Sequence, residues 1–192
     1  MPVLVLGLLI FLGVHSLRIF ADDWRSRQRA RLGETRWKGV YSLVSIAGLV
    51  LIVWGFGMAR QHPVPLYVPP LPLRHLNMLF TLVAFVLLAA AYVPRNHLKA
   101  WLGHPMVLAV LVWAAGHLLA TGMRHDLVLF GAFGLWAELL FIASRRRDRR
   151  GGVSYPAGTL RGDALALGVG VAAWLVFAFA LHAWWIGVDP MP

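Results

Sequence analysis

Apolar residues occur along this chain in long runs, and short segments between the runs carry most of the charged residues. A helix needs about 20 apolar residues to cross the hydrocarbon core of a bilayer, and six runs approach or reach that length. They are Pro2–Phe20, Gly39–Met58, Leu73–Val93, Met106–Thr121, Leu127–Ala143 and Ala164–Ile186. The pattern therefore predicts an all-α fold, a polytopic helical membrane bundle with about six transmembrane helices.

The composition supports a membrane protein and argues against a nucleic-acid-binding one. The 192 residues are 59% hydrophobic and 14% charged, whereas a soluble domain has about 25% charged residues. The formal net charge of +10 would need a polar surface to serve as a nucleic-acid interface, and this chain has too few polar residues to build one. We expect the excess apolar surface to face lipid, and we expect no nucleic-acid partner.

The distribution of basic residues predicts the orientation. Fifteen of the 18 lysines and arginines fall in the first, third and fifth connecting segments or at their edges. Because basic loops stay in the cytoplasm, both termini are expected on the periplasmic side of a bacterial inner membrane. The basic loops are then expected to contact anionic lipid headgroups. The first run has no basic residues before it, so we expect an uncleaved anchor rather than a signal peptide.

Two of the loops have recognisable patterns. Five prolines between Gln61 and Leu73 predict an extended outer segment that is neither helix nor strand. In the third loop, the stretch from Pro94 to Pro105 is typical of a short helix at the membrane interface.

Ionisable residues within spans are the first candidates for function, because a charge is costly to bury in a bilayer. Counting along the helices at 1.5 Å per residue predicts that His15, Glu138 and His104 share a layer near the cytoplasmic side. His117 lies thirteen residues after His104 and is expected in the outer layer, together with His75.

Two histidines from different helices at one depth suggest haem bound between imidazoles in an apolar bundle. The favoured axial pair is His15 and His104, and the alternative pair is His75 and His117. The chain has no cysteine, so any haem would be noncovalent and held by histidine. Zinc or copper is also compatible with histidine, but no third ligand stands out. The alternative is that each histidine hydrogen-bonds a neighbouring helix and that Glu138 neutralises a nearby arginine.

Several sequence blocks are similar to the NnrU family of bacterial membrane proteins. They are GVHSLR at 13–18, LGETRWKGVYSLVS at 32–45, RHL at 74–76, HPM at 104–106 and WAAGHLLATG at 113–122. The resemblance implies an NnrU-like membrane domain of five spans over residues 1–150, followed by the end of a basic linker and an additional sixth span over 151–192. One position departs from the family pattern: Gly103 stands where the family usually has arginine before the His-Pro pair.

The resemblance also implies a function. The family is associated with nitrite and nitric oxide metabolism in denitrification, and it is similar to 15-cis-zeta-carotene isomerase, a membrane enzyme that uses b-type haem with histidine ligands. His15, His104 and His117 match the isomerase's histidines, and Tyr41 and Glu138 would then tune the iron. The first hypothesis is a haem-dependent, isomerase-like or redox protein. The second is a noncatalytic accessory or regulatory protein that binds a membrane protein partner of the denitrification system.

Overall fold

The computed structural model describes residues 1–190, and these residues are organised almost entirely as helices. The helices are α1 (Pro2–Phe20), α2 (Asp22–Leu32), α3 (Glu34–Arg60), α4 (Leu71–Tyr92), α5 (His97–Leu102), α6 (Pro105–Ala120), α7 (Arg124–Arg150), α8 (Leu160–Val176) and α9 (His182–Ile186). A π-helical turn, Phe177–Leu181, joins α8 to α9. Among residues 1–190, the only β pairing is an isolated bridge between Pro65 and Met123, so the all-α prediction is confirmed.

All six predicted spans are helical. Five helices are long and apolar enough to cross a membrane: α1, α3, α4, α7 and the continuous segment Leu160–Ile186. The sixth, α6, has 16 residues and is about 24 Å long at 1.5 Å per residue, a little less than the hydrocarbon core. The protein is therefore a helical membrane bundle.

The helices extend beyond the apolar runs. Helix α3 begins at Glu34 rather than Gly39, and α7 continues to Arg150 instead of ending at Ala143. The basic segment after α1 also forms a helix, α2, which the hydrophobic pattern does not reveal. Its first turn carries two aspartates and its last turn two arginines, an arrangement that the helix dipole favours at both ends.

The long helices pack in the neighbour order α3–α1–α7–α6–α4–α8. Glycines allow the closest approaches, and a Cβ at Gly55 of α3 would lie 2.3 Å from the backbone nitrogen of Leu4. The buried cluster where α1, α3, α6 and α7 meet consists of Leu4, Leu8, Ile52, Ala114, Leu129 and Phe130. Helix α7 is thus the element that separates the α1–α3 pair from the α4–α6 pair.

The proline-rich segment is extended, as predicted, and is held against the turn before α7. The Leu66 amide donates to the Gly122 carbonyl at 2.8 Å, and the Arg124 amide donates to the Val64 carbonyl at 2.9 Å. Helix α4 begins at Leu71, so the last three residues of the predicted loop belong to its first turn. Proline is tolerated there because the amides of a first turn have no helical acceptor.

The opposite end of the bundle, which we call the basic face, carries α2, α5 and the linker 151–159. The predicted interfacial helix is present as α5, and its Trp101 side chain is exposed. The linker returns to α5, where the Thr159 amide donates to the Arg95 carbonyl at 2.8 Å. His97 at the start of α5 then pairs with Asp163 in the first turn of α8, with 2.6 Å between Nδ1 and Oδ2.

Candidate functional site

His15 is anchored within its own helix. Its Nδ1 lies 2.6 Å from the carbonyl oxygen of Phe11, one turn earlier. Because a carbonyl oxygen can only accept, Nδ1 must be the donor, and in the neutral ring Nε2 then keeps a free lone pair. This is the orientation in which histidine acts as a metal ligand.

Aromatic rings surround the His15 imidazole. The ring stacks on Phe11 with 4.2 Å between centroids, and it meets Tyr41 and Trp136 edge-on at 5.2 and 6.1 Å. Tyr41 is therefore beside His15, as required for the role that the resemblance implies. The indole Nε1 of Trp136 is buried and has no hydrogen-bond partner. An unpaired buried donor is unfavourable, so this atom marks a place where a polar group of a ligand would be stabilised.

His117 has the same local arrangement in α6. Its Nδ1 donates to the carbonyl oxygen of Trp113 at 2.8 Å, and its ring stacks on Phe130 at 4.5 Å. His75, its predicted companion, is exposed on α4. His117 is thus a second histidine with a free Nε2, at a different position in the bundle.

Phe133 of α7 lies between the two anchored histidines. Its ring is 5.9 Å from Phe11 on the His15 side and 5.8 Å from Trp113 on the His117 side. These rings occupy the interior between the two imidazoles, so His15 and His117 belong to separate sites in this structure.

The structure does not bring His15 and His104 together. His15 contacts α7 at Trp136, whereas His104 contacts α7 at Asp148, and twelve residues of helix correspond to about 18 Å. Helices α1 and α6 are not neighbours in the bundle, and each packs against α7. The prediction that these two histidines share a layer is therefore wrong, because His104 lies much closer to the basic face. The assignment of ligands itself stays a prediction.

Glu138 is exposed on the outer surface of α7. It makes no hydrogen bond or ion pair with any of residues 1–190, Arg18 included. The structure thus gives Glu138 no role at either histidine site, and its expected influence on the iron stays a prediction.

His104 belongs to a polar cluster that the sequence analysis missed. Its Nε2 lies 2.8 Å from Oδ2 of Asp148 and 3.3 Å from the hydroxyl of Tyr155, and the Tyr155 hydroxyl donates to the same Oδ2 at 2.7 Å. We call these three residues the His104 cluster. Asp148 could have been singled out in the sequence, because it is the single acidic residue in the run RRRDRR at 145–150. Nothing in the sequence singles out Tyr155, because only the path of the linker brings it to His104.

Gly103 packs closely against residues of the basic face. Its φ is +75°, a region that favours glycine. A Cβ at Gly103 would lie 2.7 Å from Nη1 of Arg145 and 2.9 Å from the Tyr155 ring. The space beside residue 103 is thus occupied by an arginine from α7.

Comparison with known protein families assigns the chain to one of them. The family model described as NnrU protein matches residues 3–190. The chain belongs to the NnrU family. No curated protein and no solved structure matches it. The family match continues past residue 150 and includes α8, which packs against α4.

Proposed function

We propose that this NnrU-family membrane protein binds b-type haem through Nε2 of His15. The observation that carries the proposal is the hydrogen bond from His15 Nδ1 to the Phe11 carbonyl, which leaves Nε2 free and fixes the plane of the ring. His104 is a weaker candidate than the sequence suggested, because its Nε2 is already engaged by Asp148. His15 would then be the residue of this chain that holds the haem iron.

Two features near His15 bear on such a group. An apolar groove of about 560 Å³ runs along α1 beside α7, and Gly13 and Ser16 are part of its lining, whereas His15, Tyr41 and Trp136 are not. In addition, the buried Nε1 of Trp136 offers an unused donor to a polar substituent.

The residues of this chain would orient the group and keep water away from it. Bound haem would supply a redox-active iron. The Phe11 carbonyl would hold the His15 ring and raise its basicity, and Tyr41 and Trp136 would shield it. We propose that this chemistry serves nitrite and nitric oxide metabolism or a polyene isomerisation, in the inner membrane of a bacterium.

A noncatalytic accessory role is the alternative, and the charge of the basic face favours it. Nη1 of Arg147 donates to the Arg18 carbonyl at 2.8 Å, which places two arginines together at the end of α1 and α7. Such a cationic surface suits anionic headgroups or an acidic segment of a membrane protein partner.

An absorbance spectrum of the detergent-purified protein tests the proposal. We expect a Soret band that disappears in His15→Ala and persists in the matched control His104→Ala. Loss of the band in His117→Ala, with the band intact in His15→Ala, would overturn the ligand assignment. A colourless wild-type protein with full helical content, purified from haem-replete cells, would overturn haem binding and leave the accessory role.

A further inference from the structure

The three polar atoms of the His104 cluster lie at the corners of a small triangle. The sides measure 2.8 Å from His104 Nε2 to Asp148 Oδ2, 2.7 Å from Asp148 Oδ2 to the Tyr155 hydroxyl, and 3.3 Å from that hydroxyl back to Nε2. One nitrogen and two oxygens from three separate segments thus point at each other on the basic face, outside the His15 site.

This triangle has the dimensions of one face of a metal coordination sphere. Zinc binds histidine nitrogen and carboxylate oxygen at about 2.0–2.2 Å, and two ligands at that distance lie about 3.0–3.4 Å apart in octahedral or tetrahedral geometry. A point about 2.1 Å from all three atoms therefore exists just above the plane of the triangle. Small relaxations of the two shorter sides would complete the fit.

We propose that His104, Asp148 and Tyr155 form a binding site for a divalent transition-metal ion with the ligand preferences of zinc. Within residues 1–190, no third histidine, cysteine or acidic side chain joins His104 and Asp148, and the phenol of Tyr155 would have to act as the third ligand. The His104 and Asp148 side chains are 27% and 14% exposed. Water can therefore reach the ion and complete its coordination.

The local fold holds the three ligands in place. Gly103 packs against the Tyr155 ring and allows His104 to follow directly as the residue that caps α6. The Val153 amide donates to the Asp148 carbonyl at 2.9 Å, which turns the linker back towards α7. These contacts bring Tyr155 over Asp148 without any metal.

Protons occupy the site in the absence of a cation. Burial and the hydrogen bond to Asp148 raise the pKa of Tyr155 to about 12, so the phenol is a neutral donor at physiological pH. A bound cation would displace the proton between His104 Nε2 and Asp148 into the solvent, since a metal ligand must offer a lone pair. The neutral Tyr155 hydroxyl would bind through a lone pair of its oxygen. Arg145, whose Nη1 lies 3.8 Å from Asp148 Oδ2, competes with the cation for the same carboxylate.

Isothermal titration calorimetry with Zn²⁺ tests the site on the purified full-length protein. We expect saturable binding of one ion, with proton release detected by comparing two buffers of different ionisation enthalpy. We expect the Kd for Zn²⁺ to rise by at least about tenfold in each of the variants His104→Ala, Asp148→Asn and Tyr155→Phe. Arg145→Gln should lower the Kd.

The second histidine–carboxylate pair provides a matched control. His97 and Asp163 are as close as His104 and Asp148, but neither is hydrogen-bonded to a tyrosine hydroxyl. Asp163→Asn should therefore leave the Kd unchanged. Wild-type protein that binds no Zn²⁺, or binding that Tyr155→Phe and Asp148→Asn leave intact in correctly folded protein, would overturn the proposal. Haem content is a separate readout, so this test is independent of the role of His15.

Discussion

Gly48 of α3 lies directly against the backbone of Phe11 in α1. A Cβ at position 48 would be 2.8 Å from the Phe11 nitrogen and 3.0 Å from its Cα. Phe11 is also the residue whose carbonyl oxygen anchors the His15 ring. The spacing of α1 and α3 and the orientation of the candidate haem ligand therefore depend on the same contact.

We predict that Gly48→Ala destabilises the bundle. The backbone of Phe11 cannot move aside without separating the two helices, so we expect the free energy of unfolding to fall by about 1–3 kcal/mol. Unfolding in mixed micelles, followed by far-UV circular dichroism, measures the change.

Gly13→Ala is the control for this substitution. Gly13 lies within α1, but a Cβ there would have no neighbour within 4 Å, and alanine is the better helix former by up to about 1 kcal/mol. Gly13→Ala should therefore be neutral or stabilising. Equal losses of stability for the two variants would contradict the assigned packing.

Asn96 should be among the most sensitive polar positions. Its side chain is buried, and its Nδ2 donates to the carbonyl oxygens of Ala90 and Val93 at 2.9 and 2.6 Å. Its Oδ1 accepts from the Lys99 amide at 2.7 Å and so caps α5. Asn96→Ala leaves these three backbone groups unpaired, and we expect a loss of about 1–3 kcal/mol in the same unfolding measurement. A change below the error of the measurement would show that water satisfies these groups.

Asn77 should behave in the opposite way. Its Oδ1 is buried in the α4–α6 contact and has no hydrogen-bond partner. Replacing an unsatisfied polar group by an apolar one of similar size removes a desolvation penalty, so Asn77→Leu should leave the free energy of unfolding unchanged or raise it. A marked loss of stability in Asn77→Leu would indicate that the amide has a partner in the membrane, such as a bound ligand.

The sequence predicts a helix well where a run of apolar residues determines it. It predicts a helix poorly where charged residues determine it. The six spans follow from hydrophobic runs, but α2 consists mainly of charged residues without an apolar face. No hydrophobic periodicity predicts α2, and the charged residues at its two ends stabilise it through the helix dipole.

The candidate sites divide in a similar way. The bond from His15 to Phe11 spans four residues of one helix, so it follows from helix geometry once α1 is predicted. The bond from His104 to Asp148 joins residues 44 positions apart, and Tyr155 reaches both only because the linker folds back. Depth counted along separate helices could not reveal that His104 lies beyond the His15 layer, because α7 extends past its apolar run.

The orientation of the bundle gives the last prediction. If the basic loops are cytoplasmic, the exposed residue Ser26 in α2 lies inside the cell and the exposed Val68 in the proline-rich segment lies outside. Because the natural chain has no cysteine, single substitutions can be labelled without background. A membrane-impermeant maleimide should label Val68→Cys in spheroplasts, and Ser26→Cys only after the membrane is permeabilised. The reverse pattern would place the basic face in the periplasm and would remove the cytoplasmic lipid headgroups as partners of its arginines.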